Sequence, residues 1–275
     1  MRAQPLKVIS ASRRVDLAGF YPQRLIETLS RRCQPERVHS LVLWTKNPRN
    51  LLEHHELRQT LERYDHLFLH LTVTGMGGSY LESGIPSTDK VIKWLPGLIE
   101  LVGDPRRLRV RFDPIVHLRM PDGSSYTNLN LFHKIAGSAA AVGISRITIS
   151  WMEAYDKVVR RLAKYSITPI PVSDEQRERE RDLIFRQAES VGVGILGCCV
   201  EGLPVSRCID GNLLTTLHPD RLPAPLKKAG GQRPRCGCTA SWDIGWYIPC
   251  PGKCLYCYAR PVEPSTLTGA KPSSD

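Results

Sequence analysis

Residues 40–74 read SLVLWTKNPRNLLEHHELRQTLERYDHLFLHLTVT and contain the pattern from which the architecture can be predicted. An apolar run, Ser40–Trp44, is followed by a stretch with helical spacing, Leu51–Tyr64, and then by a second apolar run, Leu67–Thr74. Strand, helix and strand in this order predict a βαβ unit, whose two strands run parallel in one sheet.

The same alternation is found on both sides of this unit. Further predicted strands are Lys7–Ala11, Leu108–Phe112, Arg146–Trp151, Thr168–Val172 and Val193–Gly197. Further predicted helices are Pro22–Arg32, Thr88–Val102, Leu129–Val142, Ala154–Tyr165 and Asp174–Val191. Six or seven such units predict an α/β fold, namely a partial or near-closed parallel (β/α) barrel.

The chain changes character after Cys199, which predicts three regions. Residues 1–199 form the barrel-like domain, residues 200–262 form an irregular cysteine-rich extension packed on the barrel mouth, and residues 263–275 form a disordered tail. Pro, Gly and Arg become frequent in the extension, and Leu222–Pro234 has the composition of an irregular loop. Such a loop needs external fastening, which a metal site would supply.

Composition and charge restrict the class of protein. Hydrophobic residues make up 41% and charged residues 24%, which is typical of a globular chain. No apolar run is long enough to span a bilayer and the first ten residues lack the apolar stretch of a signal peptide, so we expect a cytoplasmic protein with no membrane partner. The formal net charge of +11 permits a polyanionic partner, such as nucleic acid or a nucleotide.

The nine cysteines are unevenly placed. One stands alone at Cys33, and the other eight lie between residues 198 and 257. In a reducing compartment a disulfide framework is not expected, which favours metal or catalytic roles. Buried structural cysteines would be scattered through the core, so the concentration near the end of the chain predicts ligands.

The strongest motif is C-x-x-x-C-x-x-C, formed by Cys250, Cys254 and Cys257. Three thiolates with this spacing can bind three irons of a 4Fe–4S cluster, and the fourth iron then lacks a protein ligand. The open iron can chelate S-adenosylmethionine, whose sulfonium is cleaved by an electron that a cellular donor supplies through the cluster. Zinc is the alternative if Cys236 or Cys238 completes a set of four ligands.

A second set of cysteines predicts an auxiliary site that holds either a second cluster or zinc. The predicted ligands are Cys198, Cys208, Cys236 and Cys238. Adjacent cysteines point in different directions, so Cys198 and Cys199 are not both expected to bind one metal atom, and Cys199 can replace Cys198 in the set. Both can also end a buried strand as small apolar residues.

Six stretches resemble a bacterial family that is described as a domain of unknown function and is related to the radical S-adenosylmethionine (radical SAM) superfamily. They are ISASRRVD (Ile9–Asp16), LWTKNP (Leu43–Pro48), TGMGGSYLESGIP (Thr74–Pro86), RFDPI (Arg111–Ile115), RCIDG (Arg207–Gly211) and CGCTASWDIGWYIPCPGKCLYCYA (Cys236–Ala259). The resemblance extends from Ile9 to about Arg260 and implies a barrel of radical SAM type.

The resemblance also implies which residues bind the cofactor. Thr74 and Gly75, with Glu82, are nearest to the segment that holds the amino group of S-adenosylmethionine. Arg111 and Asp113 match family motifs at predicted strand ends and are expected to line the site, although an internal salt bridge explains them as well. In most of the superfamily the three-cysteine loop follows the first strand, so here the C-terminal segment has to fold back over the barrel mouth.

Two classes of function are compatible with the sequence. The first is a radical SAM enzyme that abstracts hydrogen from an unidentified substrate, with Tyr258 or Cys33 as possible assisting groups. The second is a non-catalytic protein in which zinc or iron–sulfur sites fasten the C-terminal segment and the basic surface binds nucleic acid.

Overall fold

The computed structural model describes residues 6–263, within which the chain forms ten strands and nine α-helices. The strands are β1 Lys7–Ala11, β2 Val38–Thr45, β3 Leu67–Thr72, β4 Leu108–Ile115, β5 His117–Arg119, β6 Ser125–Thr127, β7 Arg146–Trp151, β8 Thr168–Pro169, β9 Gly194–Gly197 and β10 Trp242–Asp243. The helices are α1 Leu17–Phe20, α2 Pro22–Arg32, α3 Arg49–Glu53, α4 His55–Leu61, α5 Thr88–Val102, α6 Phe132–Ala141, α7 Asp156–Ala163, α8 Asp174–Ser190 and α9 Gly211–Leu217. The tail predicted to be disordered lies, apart from Glu263, outside the described residues.

Seven strands form one parallel sheet in the order β10-β1-β2-β3-β4-β7-β9. From β1 to β9 the spatial order follows the order along the chain, as expected when successive βαβ units wind in one direction. Strands β10 and β9 are the two edges of the sheet, and they do not pair with each other within the described residues. The predicted α/β fold with a large parallel sheet is confirmed. No helix in the described part of the chain is both long and apolar enough to cross a membrane.

Two predicted elements differ from the structure. The run Thr168–Val172 forms only the two-residue strand β8, which pairs antiparallel with β5 in a separate three-stranded sheet. Pro169 and Pro171 lack backbone N–H donors, and this prevents a longer ladder. The predicted helix Leu51–Tyr64 is two helices, because His54 has an extended backbone and caps α4 through its ring nitrogen.

The two faces of the sheet are covered differently. Leu41 and Leu43 of β2 pack with the helices in the larger core, whereas Val42 points to the opposite face. On that opposite face Val42 packs with residues of α9 and with Cys208 and Cys238. The segment from Cys208 to Cys238 therefore covers the side of the sheet that the helices leave open.

Strand β10 determines where the end of the chain lies. It pairs parallel to β1, with Ile9 opposite Trp242 and Ser10 opposite Asp243. Because the pairing is parallel, the chain after Asp243 leaves the sheet at its carboxyl edge, beside the loop that follows β1. The C-terminal segment thus reaches the loops at the ends of the first strands.

Candidate functional site

Asp243 fastens the C-terminal segment to the end of β1. Its carboxylate accepts hydrogen bonds from the hydroxyls of Ser12 at 2.8 Å and Ser10 at 3.0 Å, and from the backbone N–H groups of Arg13 and Gly245 at 3.0 Å each. Hydrogen bonds to a charged acceptor are stronger than neutral ones. The direction in which the chain leaves β10 is therefore fixed by one side chain.

Cys250, Cys254 and Cys257 lie on the loop that follows β10. Cys254 is buried, and the other two are half-buried. Burial raises the pKa of Cys254 well above its usual value and raises the pKa of Cys250 to about 11, and in both cases the charge of Cys257 adds to the effect. The three sulfur atoms are therefore close enough for their charges to interact.

Backbone donors point at two of these sulfur atoms. The N–H of Ala259 donates to Sγ of Cys257 at 3.4 Å, and the backbone groups of Gly252 and Asp16 act against burial by lowering the pKa of Cys250. Such bonds favour the thiolate over the thiol, and the thiolate is the form that binds a metal. The donor set of this loop therefore fits a metal–thiolate group.

Lys46, which directly follows β2, lies beside the loop. Its ammonium contacts the Glu82 carboxylate at 2.5 Å and donates to the hydroxyl of Tyr256. Burial lowers the pKa of Lys46, but the charges of Glu82 and Cys254 outweigh it and raise that pKa above its usual value. A lasting positive charge is thus placed next to the buried cysteine.

The segment Thr74–Pro86 supports the cysteine loop. The backbone N–H of Gly84 donates to the carbonyl of Gly252 at 3.3 Å. A Cβ atom at Gly84 would lie 2.0 Å from the carbonyl oxygen of Pro251, so the loop packs where a side chain would otherwise be. Residue 84 therefore has to be glycine for the two segments to approach.

The predicted cofactor residues of this segment lie in the same place. Glu82 is 1% exposed, and its Oε1 atom accepts both from Lys46 and from the hydroxyl of Thr74, the latter at 2.8 Å. Gly75 follows with a left-handed backbone, φ +82°. Their predicted role in binding S-adenosylmethionine remains a prediction.

Arg111 and Asp113 lie beside the second set of cysteines. Nη1 of Arg111 donates to Sγ of Cys208 at 2.8 Å, and Nη2 of the same guanidinium pairs with Asp113. The hydroxyl of Ser150 also donates to Asp113. Of the predicted site residues, these two therefore border the second set of cysteines, whereas Thr74 and Glu82 border the first.

Tyr258 directly follows the last cysteine of the first set. Burial and the charge of Cys257 raise its pKa to about 12. Its hydroxyl donates to the carbonyl of Arg13 at 2.8 Å, although the residue remains 46% exposed. Tyr258 therefore links the cysteine loop to the loop that follows β1.

Sequence reasoning missed two residues that hold the cysteine loop. In the sequence Lys46 was recognised only as part of the stretch LWTKNP, although its position directly after a strand is a signal for a site residue. Arg161 of α7 donates to the carbonyls of Leu255 at 3.0 Å and Cys257 at 2.6 Å. Nothing in the spacing around Arg161 distinguishes it from a solvent-exposed helix residue.

No three His, Cys, Asp or Glu side chains of the described chain are arranged to hold a single metal ion. A tetrahedral zinc with Zn–S bonds of about 2.3 Å requires thiolates about 3.8 Å apart. A four-iron cluster has a different requirement, because each cysteine binds a separate iron. The finding therefore concerns single ions and leaves the cluster prediction as a prediction.

Fold and site together define a mixed α/β protein with a parallel sheet and a cysteine-rich C-terminal segment attached beside the first strand. The family described as "Domain of unknown function (DUF1848)" matches residues 29–259. The chain belongs to this family. No curated protein and no solved structure matches it.

Proposed function

We propose that this protein is a radical SAM-like iron–sulfur enzyme in which Cys250, Cys254 and Cys257 hold a 4Fe–4S cluster. The observation that carries the proposal is the position of their loop, which follows the strand paired parallel to β1. In the radical SAM superfamily the three-cysteine loop follows the first strand. Here β10 brings a loop with the same spacing to the carboxyl edge beside that strand, which supports a partial barrel of radical SAM type.

With S-adenosylmethionine bound at its open iron, the cluster would supply one-electron cleavage of the sulfonium and hydrogen abstraction from a substrate. The protein's own residues have to offset the charge of the cluster. A four-iron cluster of charge +2 with three thiolates has a net charge of −1, and a buried charge requires a partner. The ammonium of Lys46 beside Cys254 is suited to this role.

Glu82 is suited to hold the amino group of S-adenosylmethionine. Lys46 and Thr74 both donate to Oε1, and Oε2 accepts no hydrogen bond within residues 6–263. A carboxylate oxygen that is available next to the cysteine loop can accept from an ammonium group. Thr74 and Gly75 would fix the backbone that lies beside Glu82. Arg111 and Asp113 would line the side of the site that faces the substrate.

The net charge of +11 supports a polyanionic substrate, either nucleic acid or a nucleotide. The same charge would serve a non-catalytic protein that binds nucleic acid and uses metal only to fasten its C-terminal segment. For both readings, the affinity for nucleic acid should fall steeply with salt. Cleavage of S-adenosylmethionine is the property that separates them.

Anaerobically reconstituted protein, mixed with dithionite and S-adenosylmethionine, is expected to release 5′-deoxyadenosine. Product should form only when both reagents are present, and its amount is measured by liquid chromatography and mass spectrometry. Protein that carries a full cluster on the Cys250 loop and still yields no deoxyadenosine would contradict the enzymatic proposal and favour the non-catalytic one.

A further inference from the structure

The second set of cysteines forms a continuous group of thiols. Cys208 and Cys238 are buried in one hydrophobic cluster, and Cys198 and Cys236 pack against that cluster. The fifth thiol, Cys199, directly follows Cys198 and is half-buried. Three separate pieces of chain supply them, namely the end of β9, the turn before α9 and the loop before β10. Distant parts of the sequence are thus brought together at one point.

Arginine side chains contact this group of thiols. Besides the bond from Arg111 to Cys208, Nη2 of Arg233 donates to Sγ of Cys198 at 3.5 Å. Arg109, on the same face of β4, is 5% exposed and lines a surface cavity together with Asp210. A buried guanidinium is favourable only when an anion accompanies it.

A thiolate centre would fit the charges around these cysteines. Neutral thiols add no negative charge, whereas four thiolates around a +2 four-iron cluster give a net charge of −2. The guanidinium groups of Arg111 and Arg233, which already donate to sulfur atoms of the set, would then face an anion.

We propose that Cys198, Cys208, Cys236 and Cys238 hold a second iron–sulfur cluster. Cys198 is preferred to Cys199 because it packs against the cluster that contains Cys208 and Cys238 and accepts from the Arg233 guanidinium. A zinc ion needs all its thiolates around one point, and no such group is found in residues 6–263, whereas in a cluster each thiolate binds a separate iron.

Such a cluster would fasten the segment that covers the open face of the sheet. The two ligands on its far side, Cys236 and Cys238, border a surface cavity of about 330 Å³, which offers a path for iron and sulfide to enter. A cluster with four cysteine ligands has no open iron. The second site is therefore distinct in chemistry from the Cys250 loop and does not depend on it.

Iron and acid-labile sulfide per chain test this proposal on anaerobically purified full-length protein. Wild-type protein is expected to contain about eight irons, and the Cys208→Ser and Cys254→Ser variants about four each. Cys33→Ser, which removes a buried thiol outside both sets, and Cys199→Ser should retain the wild-type content. The double variant with both Cys208→Ser and Cys254→Ser should contain none.

The outcomes separate this proposal from the function proposed above. A wild-type content of four irons, lost in Cys208→Ser and kept in Cys254→Ser, would support the second cluster and contradict the first. The second cluster would be overturned if the wild-type protein contained four irons and Cys208→Ser kept them all. It would also be overturned if the wild-type protein contained one zinc that Cys208→Ser lacked. If Cys208→Ser does not fold, the wild-type protein and Cys254→Ser decide: about four irons in the wild type, all of which disappear in Cys254→Ser, leave none for a second site and overturn the proposal.

Discussion

Replacement of Cys254 by Ser is expected to abolish the first cluster and all cleavage of S-adenosylmethionine. Cys254 is 7% exposed and is the middle ligand of its motif, so no other cysteine of the loop can take its place. The iron content should fall by about four per chain, and deoxyadenosine should fall to the level of a protein-free mixture. Metal analysis and chromatography of the same preparation measure both quantities.

The matched control is Cys33→Ser. Cys33 is likewise buried, at 2% exposed, but it ends α2 and belongs to neither set of cysteines. This control variant should keep its full iron content. Full iron content and undiminished deoxyadenosine formation in Cys254→Ser would show that the Cys250 loop is not the site.

Asp243→Ala is expected to lower the free energy of unfolding by about 2–4 kcal/mol. The change removes the acceptor of four hydrogen bonds. The hydroxyls of Ser10 and Ser12 and two backbone N–H groups then lose that partner. It also frees β10 from the end of β1, so the cysteine loop should lose its fixed position. Urea denaturation followed by circular dichroism measures the change.

Asp182→Ala provides the comparison for that variant. Asp182 is an exposed residue of α8, and its replacement should change the free energy of unfolding by no more than about 0.5 kcal/mol. If both aspartate variants unfold at the same urea concentration as the wild type, Asp243 does not anchor the C-terminal segment.

Much of the sheet could be predicted because its signals are local. The helices Pro22–Arg32 and Thr88–Val102 begin and end where the sequence predicts, with a proline in the first turn of the former and a left-handed Gly103 after the latter. Strands Lys7–Ala11 and Arg146–Trp151 also have the predicted bounds. Periodicity and caps are properties of adjacent residues and can be read without a structure.

The attachment of the C-terminal segment could not be predicted in this way. Strand β10 has only two residues, too few for any periodicity, and its partner β1 lies more than 230 residues earlier in the chain. The resemblance nevertheless implied that the segment folds back, and in the structure β10 pairs with β1.

In the candidate site, too, local features could be predicted and tertiary contacts could not. The spacing of Cys250, Cys254 and Cys257 is local, and the sequence alone therefore predicts them as one set of ligands. Arg161 and Arg233 reach the cysteines from a helix and from an irregular loop, and only tertiary folding brings them there. Residues that tune a site from a distance along the chain leave no pattern in one sequence.

Electron paramagnetic resonance of the dithionite-reduced protein, recorded with and without S-adenosylmethionine, tests the central claim most directly. The account predicts a signal from a reduced four-iron cluster that changes when the cofactor is added, because its amino and carboxylate groups become ligands of the open iron. The change should be absent from Cys254→Ser. Anaerobically purified protein that contains only zinc, or a cluster signal that is identical with and without the cofactor, would contradict the account.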